Sequence, residues 1–324
     1  MSLYDHVEAA DRRLAVPLMG SVGARLAGHK LGDCLRESGL HLKCLGALVE
    51  TFDPDALFPI MDLTLEAEAL GLAIAFPEDE APSVAEHPVA SSEALSRLEL
   101  PDPSSSGRMP VFLSVLEGMR GLTASPLGSY VIGPFTLAAE LSGAEELAVR
   151  TISDGPFAEA VIDFASEAIC IYAEQLARRA DIVAILEPSA VMLSPASFEG
   201  FVRGPLERLT HVIKSNGAFP VLHICGNSTH LLQQMSACGA EGFSIDSPVD
   251  MRVAAASVGS HQVVMGNIDP VAVMLEGDAR KVKAACADLL EKMEGIPNFA
   301  LASGCDLPAD TPKENIASLV AAVK

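Results

Sequence analysis

With 324 residues, 49% of them hydrophobic and 20% charged, the chain can bury a large core, and global disorder is excluded. Its formal charge of −21, from 22 Lys and Arg against 43 Asp and Glu, argues against nucleic acid and anionic membrane surfaces as partners. No apolar run reaches the ~18 residues of a membrane helix, and the opening MSLYDHVEAADRRL carries acids where a signal peptide has an apolar core; the expectation is a soluble, cytoplasmic protein.

Leu14 to Met19 is an apolar segment that stops at Gly20 and reads as a first strand. From Gly28 to Val49, Leu31, Leu35, Leu40, Leu42 and Leu45 supply a helical face. Leu57 to Asp62 is the second strand candidate, with a carboxylate at its end and Pro59 limiting its pairing. Residues 77–110 mix prolines, serines and acids without a sustained period. They read as a long surface excursion that covers part of the molecule, a candidate lid.

From Gly128 the alternation is regular. Ser129–Gly133 reads as a strand, Leu137–Leu141 as helix, and about Pro156 to Arg179 as a long helix. Asp181–Leu186 is the next strand, closed by Glu187-Pro188. Ser194 followed by Pro195 opens another helix as cap and first residue, and Asn216-Gly217 ends it. Strands follow at Phe219–Cys225, Gly242–Asp246 and Gln262–Asn267, and Asp269-Pro270 opens a helix after the last of these. A final strand, Asn298–Gly304, delivers Cys305; Thr311-Pro312-Lys313-Glu314 then predicts a capping box with Pro in the first helical position. Eight strands alternating with helices imply parallel pairing through right-handed crossovers. The predicted fold is α/β, a (β/α)8 TIM-type barrel spanning 1–324 as one domain. No G-x-G-x-x-G follows any strand, which leaves a dinucleotide fold without support.

The chemistry gathers around VLHICGN. In a strand, residues i and i+2 face the same way, so His223 and Cys225 project together at its carboxyl end. An isolated H-x-C is more often two buried residues than a metal site. A barrel changes the odds, because strand ends distant in sequence surround one mouth, where active sites of this fold lie. Asp62, Glu187, His223, Cys225, Asp246, Asn267 and Cys305 all fall at such ends. His223, Cys225 and Cys305 then make a Cys2His set with one position open, a recognised arrangement for catalytic zinc. Asp246 on the neighbouring strand either fills the fourth position until substrate displaces it or orients a ligand from behind. Glu187 and Asn267 read as supports of the mouth loops. Seven cysteines at irregular spacing, with no export signal, suit reduced thiols or metal ligands; Cys34, Cys44, Cys170, Cys238 and Cys286 sit in helical patterns and read as packing residues. His230 reads as a surface or interface residue.

HICGN, SIDSPVD, GNIDP and SGCDLPADTPKENI, with GPFTLAAELSG and LSPASFEGF upstream, resemble the methylcobamide:coenzyme M methyltransferases, a branch of the uroporphyrinogen decarboxylase superfamily. The resemblance runs from about Leu14 to the C-terminus. It implies a distorted (β/α)8 barrel and zinc held by His223, Cys225 and Cys305, with Asp246 matching a nearby carboxylate that is usually Glu. It further implies Asp62 in a substrate pocket, a partner protein carrying methylcobamide as methyl donor, and a small thiol acceptor such as coenzyme M. Coordination makes thiol chemistry reasonable: a free thiol near pKa 8.5 is mostly protonated at neutral pH, and a metal removes that proton.

Two rivals share the fold. A uroporphyrinogen decarboxylase holds a substrate of many carboxylates with N-terminal arginines, of which only Arg25 remains here; Glu140 stands where that enzyme has Tyr. Methyl transfer to tetrahydrofolate keeps the chemistry and changes the acceptor.

Overall fold

The computed structural model describes residues 2–77 and 81–324. Runs of β-branched and large apolar residues form six parallel strands: β1 (Gly128–Ile132), β2 (Ile182–Leu186), β3 (Phe219–Ile224), β4 (Gly242–Ile245), β5 (Val263–Ile268) and β6 (Phe299–Ser303). They pair in sequence order in one sheet, the pattern of successive right-handed crossovers. Their helices cover the outer face, and an inner cluster that includes Val16, Phe58, Tyr130, Leu186, Val221 and Met265 fills the inside.

The two N-terminal segments expected as strands lie at the sheet's edges but make only single bridges, Ala15 to Leu301 and Leu57 to Leu127. Proline chemistry accounts for this correction. Leu57 N–H donates to the Pro126 carbonyl at 3.0 Å; the next amide on that side belongs to Pro59, which has no hydrogen to give. In the first segment Val16 donates to Leu301 at 2.8 Å. On its other side Ala15 N–H is taken by the Asp55 carboxylate at 2.7 Å, and Pro17 again lacks a donor. The expected ring of eight is thus six continuous strands with two proline-interrupted segments at its edges.

Other expectations shift locally. The stretch 28–49 is not one helix: Gly28, at φ +70°, follows a helix at Gly20–Leu26, and short Leu31–Cys34 precedes Ser38–Phe52. Ser194 caps as expected, accepting from Ser197 N–H at 3.1 Å. The helix nevertheless breaks at Val202 and resumes as Arg203–Ser215, because Pro205 cannot donate backward and fits only a first turn. Asp269 accepts from Val271 and Ala272, at 2.9 and 2.7 Å, and opens a single π-helical turn. The terminal capping box does not form: Pro312 is extended at ψ 131°, the helix starts at Lys313, and the Thr311 hydroxyl has no partner.

The excursion at 77–110 packs closely at several points, its residues 78–80 lying outside the described residues. Val89 N–H donates to the Leu141 carbonyl at 2.9 Å, and His87 Nδ1 lies 2.6 Å from the Glu140 carbonyl. No helix among the described residues is long and apolar enough to cross a membrane.

Candidate metal centre at the strand ends

His223 is the fifth residue of β3, and Cys225 follows the strand's last residue. In-register pairing puts His223 beside Ser244 of β4. The His223 Nδ1 lies 3.0 Å from both the carbonyl and the hydroxyl oxygen of Ser244. An N–H at Nδ1 donates there, which turns the Nε2 lone pair toward the thiols. Cys305 arrives from the far end of the sheet, just beyond β6.

The three groups meet. His223 Nε2 is 3.0 Å from Cys225 Sγ and 3.6 Å from Cys305 Sγ, and the two sulfurs are 3.6 Å apart. Zinc–sulfur bonds of ~2.3 Å and zinc–nitrogen bonds of ~2.0 Å in tetrahedral geometry require edges of roughly 3.7 and 3.5 Å. Two of the three edges meet that requirement, and the third needs the imidazole and Cys225 to part slightly. Among the described residues this is the one group of three ligand-type side chains close enough to hold a metal ion. The donor set, one neutral nitrogen and two soft sulfurs, suits zinc.

Charge is already redistributed here. The neighbouring Cys225 thiol and His223 imidazole lower the Cys305 thiol, while the Cys305 sulfur and burial raise that of Cys225. Burial alone would push the His223 imidazole down, but the Cys305 sulfur beside it reverses the direction.

Asp246, the candidate fourth ligand, stands beside this group. Its Oδ2 accepts from Gly226 N–H and its Oδ1 from Ser247 N–H, both at 2.6 Å. Both oxygens therefore hold backbone, and Gly226 belongs to the turn just after Cys225. Asn267 supports the same loop: its Nδ2 donates to the carbonyls of Asp246 and Val249, at 3.0 and 2.7 Å. Glu187 is fully buried and accepts from Phe135 and Thr136 N–H, at 3.0 and 2.6 Å, and from the Thr136 hydroxyl. It thereby closes the N-terminus of the helix Pro134–Ser142.

Asp62 lies in a buried ion pair with Arg108 Nη1, while Thr64 donates to its Oδ1 twice at 2.8 Å. Arg108 Nε also reaches Glu68 at 2.6 Å. Both Asp62 oxygens are thus engaged within the protein. The sequence offered no spacing signal for Arg108, which lies 46 residues away in the excursion. Ser244 was legible only once β3 and β4 were known to be neighbours. Four of the five remaining cysteines, Cys34, Cys44, Cys238 and Cys286, are buried and Cys170 is half-buried. His230 is exposed, as expected of a surface residue, and its Nε2 lies 3.1 Å from the Leu193 carbonyl.

A family model described as uroporphyrinogen decarboxylase matches residues 7–324. The chain belongs to the uroporphyrinogen decarboxylase family. Within it, the chain is similar to a methylcobamide:CoM methyltransferase of Methanosarcina mazei, 29% identical over 269 residues that cover 81% of this chain and 77% of that protein. It is also similar to a uroporphyrinogen decarboxylase of Nostoc punctiforme, 27% identical over 279 residues, 83% of this chain and 77% of that one. A solved methyltransferase from Methanosarcina mazei superposes with a TM-score of 0.89 at 27% identity, over 99% of this chain and 96% of that structure. The resemblance and the fold class expected of this family are therefore met, with the sheet continuous over six strands.

Proposed function

We propose that this protein is a zinc-dependent methyltransferase that moves a methyl group from a methylated corrinoid, carried by a partner protein, to the sulfur of a small thiol, the class that includes coenzyme M. The observation that carries this reading is the convergence of His223 Nε2, Cys225 Sγ and Cys305 Sγ at the strand ends. The likeness to methyltransferases over most of the chain supports it.

Methyl transfer to sulfur needs a thiolate nucleophile. Zinc held by His223, Cys225 and Cys305, when bound, supplies the positive charge that keeps an acceptor sulfur deprotonated at neutral pH. Ser244 fixes the imidazole tautomer through Nδ1 and leaves Nε2 to coordinate. Asp246 and Asn267 hold the backbone around Gly226, Ser247 and Val249, so that Cys225 keeps its direction. Asp62 acts on the structure through Arg108. In the transfer itself a sulfur–carbon bond forms as the cobalt–carbon bond breaks, and the electron pair of the broken bond stays on cobalt. No proton moves in that step, which agrees with a centre built from ligands.

The experiment is methyl transfer from methylcobalamin by zinc-loaded protein, with a panel of small thiols that includes coenzyme M. The expected result is a thioether product, detected by mass spectrometry, formed in step with the spectral loss of methylcobalamin. Transfer to tetrahydrofolate with no thioether would replace the acceptor and keep the centre. Decarboxylation of a porphyrinogen without any methyl transfer would overturn the reading.

A further inference from the structure

Cys34 and Cys44 lie apart from the strand-end centre and touch each other. Cys34 ends the one-turn helix Leu31–Cys34, and Cys44 sits in the second turn of Ser38–Phe52. Their sulfurs are 3.3 Å apart, and both residues are 0% exposed. Among the described residues one other pair of cysteine sulfurs is in contact, Cys225 and Cys305, which belongs to the candidate metal centre. Cys238 is as deeply buried, but its thiol goes to the Met235 carbonyl at 2.8 Å. No third ligand-type group among the described residues joins Cys34 and Cys44. His41, between them in sequence, has its Nε2 occupied by the Ile60 N–H at 2.8 Å. The pair is therefore a dithiol and not a metal site.

Its two members are held unequally. The helix Gly20–Leu26 packs so closely on Ser38–Phe52 that a Cβ on Gly23 would lie 2.7 Å from the Cys44 carbonyl oxygen, which fixes Cys44 in place. Cys34 rides on a single turn with no side-chain cap at Lys30, preceded by Gly28 at φ +70°. Gly28, His29, Lys30 and Leu31 line an open pocket of about 510 Å³ at the start of that turn. A one-turn helix with solvent at its start opens locally at far less cost than the whole fold. Such an opening admits small solutes to Cys34 while Cys44 waits in position. Bonded sulfurs stand ~2.05 Å apart, so from the closed structure each sulfur need advance only about 0.6 Å.

We propose that Cys34 and Cys44 form a reversible disulfide, a modification site separate from the metal centre, and that the oxidant is a peroxide. The Cys34 thiolate attacks one peroxide oxygen and the O–O bond breaks. The departing hydroxide takes up the proton the thiol released and leaves as water, and Cys34 becomes a sulfenic acid. The Cys44 sulfur then attacks Cys34 Sγ: the S–S bond forms, the S–O bond breaks, and the hydroxyl takes the Cys44 proton and leaves as a second water. The two thiols give up two electrons and two protons, and the peroxide is reduced to two waters. The Cys44 thiol beside Cys34 lowers it, which suits Cys34 to the first attack. The bond ties the one-turn helix to Ser38–Phe52, and a small thiol reverses it by exchange.

The test treats the full chain with hydrogen peroxide, blocks the remaining thiols by alkylation, and maps unreduced tryptic peptides by mass spectrometry. Trypsin cuts after Arg36 and Lys43, so the two cysteines fall on different peptides. The expected product, in at least half of the chains, is a cross-link between those peptides, two mass units below the reduced pair and abolished by dithiothreitol. Cys44→Ala should remove the cross-link and leave Cys34 as a sulfenic acid that dimedone traps; if that variant does not fold, the wild-type map decides alone. Recovery of Cys34 and Cys44 as free thiols, or as separate sulfinic acids, at a dose that oxidises the half-buried Cys170 would overturn the proposal. A cross-link that appears only in urea would overturn it as well, because the folded chain would then not open at Cys34.

Discussion

Of the three ligand-type side chains, His223 is buried within β3 and packed into the interior, whereas the two cysteines lie beyond strand ends. Both cysteines are half-buried at strand ends, outside the packed interior. Cys225→Ala and Cys305→Ala should each lose most bound zinc, by metal analysis after dialysis, while circular dichroism stays that of the wild type. Full zinc occupancy in both variants would remove the assignment. The Glu140 carboxyl shows the opposite case, a titratable group set against the fold. Burial pushes it from 4.5 to about 9, with Glu66 and Asp62 adding repulsion, and its Oε2 has no partner. An unfolded chain gives up this proton near 4.5, whereas the folded one holds it until about 9. Folding is therefore progressively penalised as pH rises through that window. Glu140→Gln should raise the thermal midpoint at pH 9 by about 3 °C or more and leave it nearly unchanged at pH 5; an equal shift at both values would contradict the account.

At the level of elements, Glu187 and Gly133 are a matched pair. Glu187 leaves the end of β2 and closes the first turn of the helix that follows β1, which ties two adjacent units together. That closure requires bare backbone opposite: a Cβ on Gly133 would lie 2.3 Å from Glu187 Oε2 and 2.4 Å from its Cδ. Gly133→Ala should destabilise the protein by about 2 kcal/mol or more, since it combines overpacking with a displaced cap. Urea unfolding measures this, and a loss below about 0.5 kcal/mol would show that the carboxylate can move aside. Pro59 acts at the same scale by lacking the donor that would extend the pairing of Leu57, while Leu18 N–H, the next donor toward β6, goes to the Ser303 hydroxyl at 3.1 Å.

Across the whole molecule, Arg108 links the excursion to the barrel. Its guanidinium is 7% exposed and bridges Asp62, which is 0% exposed, to Glu68, while Thr64 accepts from its Nη2 at 3.1 Å. Removing one partner of a buried pair leaves a charge without compensation, which costs about 3–5 kcal/mol. Arg108→Leu should lose about that much stability in urea unfolding, and adding Asp62→Asn should restore part of it. No recovery in the double variant would mean that the arginine contributes through packing on Phe76, 4.8 Å from its ring centroid, and not through charge.

What the sequence determined by itself is local or periodic. The six continuous strands, the cap at Ser194 and the parallel pairing implied by alternation all follow from residues within a few positions of one another. The same-side placement of His223 and Cys225 needs only the two-residue strand period. Adding Cys305 took the further premise that strand ends share a mouth, and the sulfur distances of 3.6 Å agree with it. Tertiary structure alone decided the partners of buried charges. Asp62 met Arg108 across 46 residues and Glu187 met Thr136 across 51, through loops whose paths no periodicity encodes. It also decided that Asp246 spends both oxygens on backbone amides. Hydrogen-bond satisfaction is a property of the assembled neighbourhood, because each donor and acceptor is taken by whichever group the fold brings within about 3 Å.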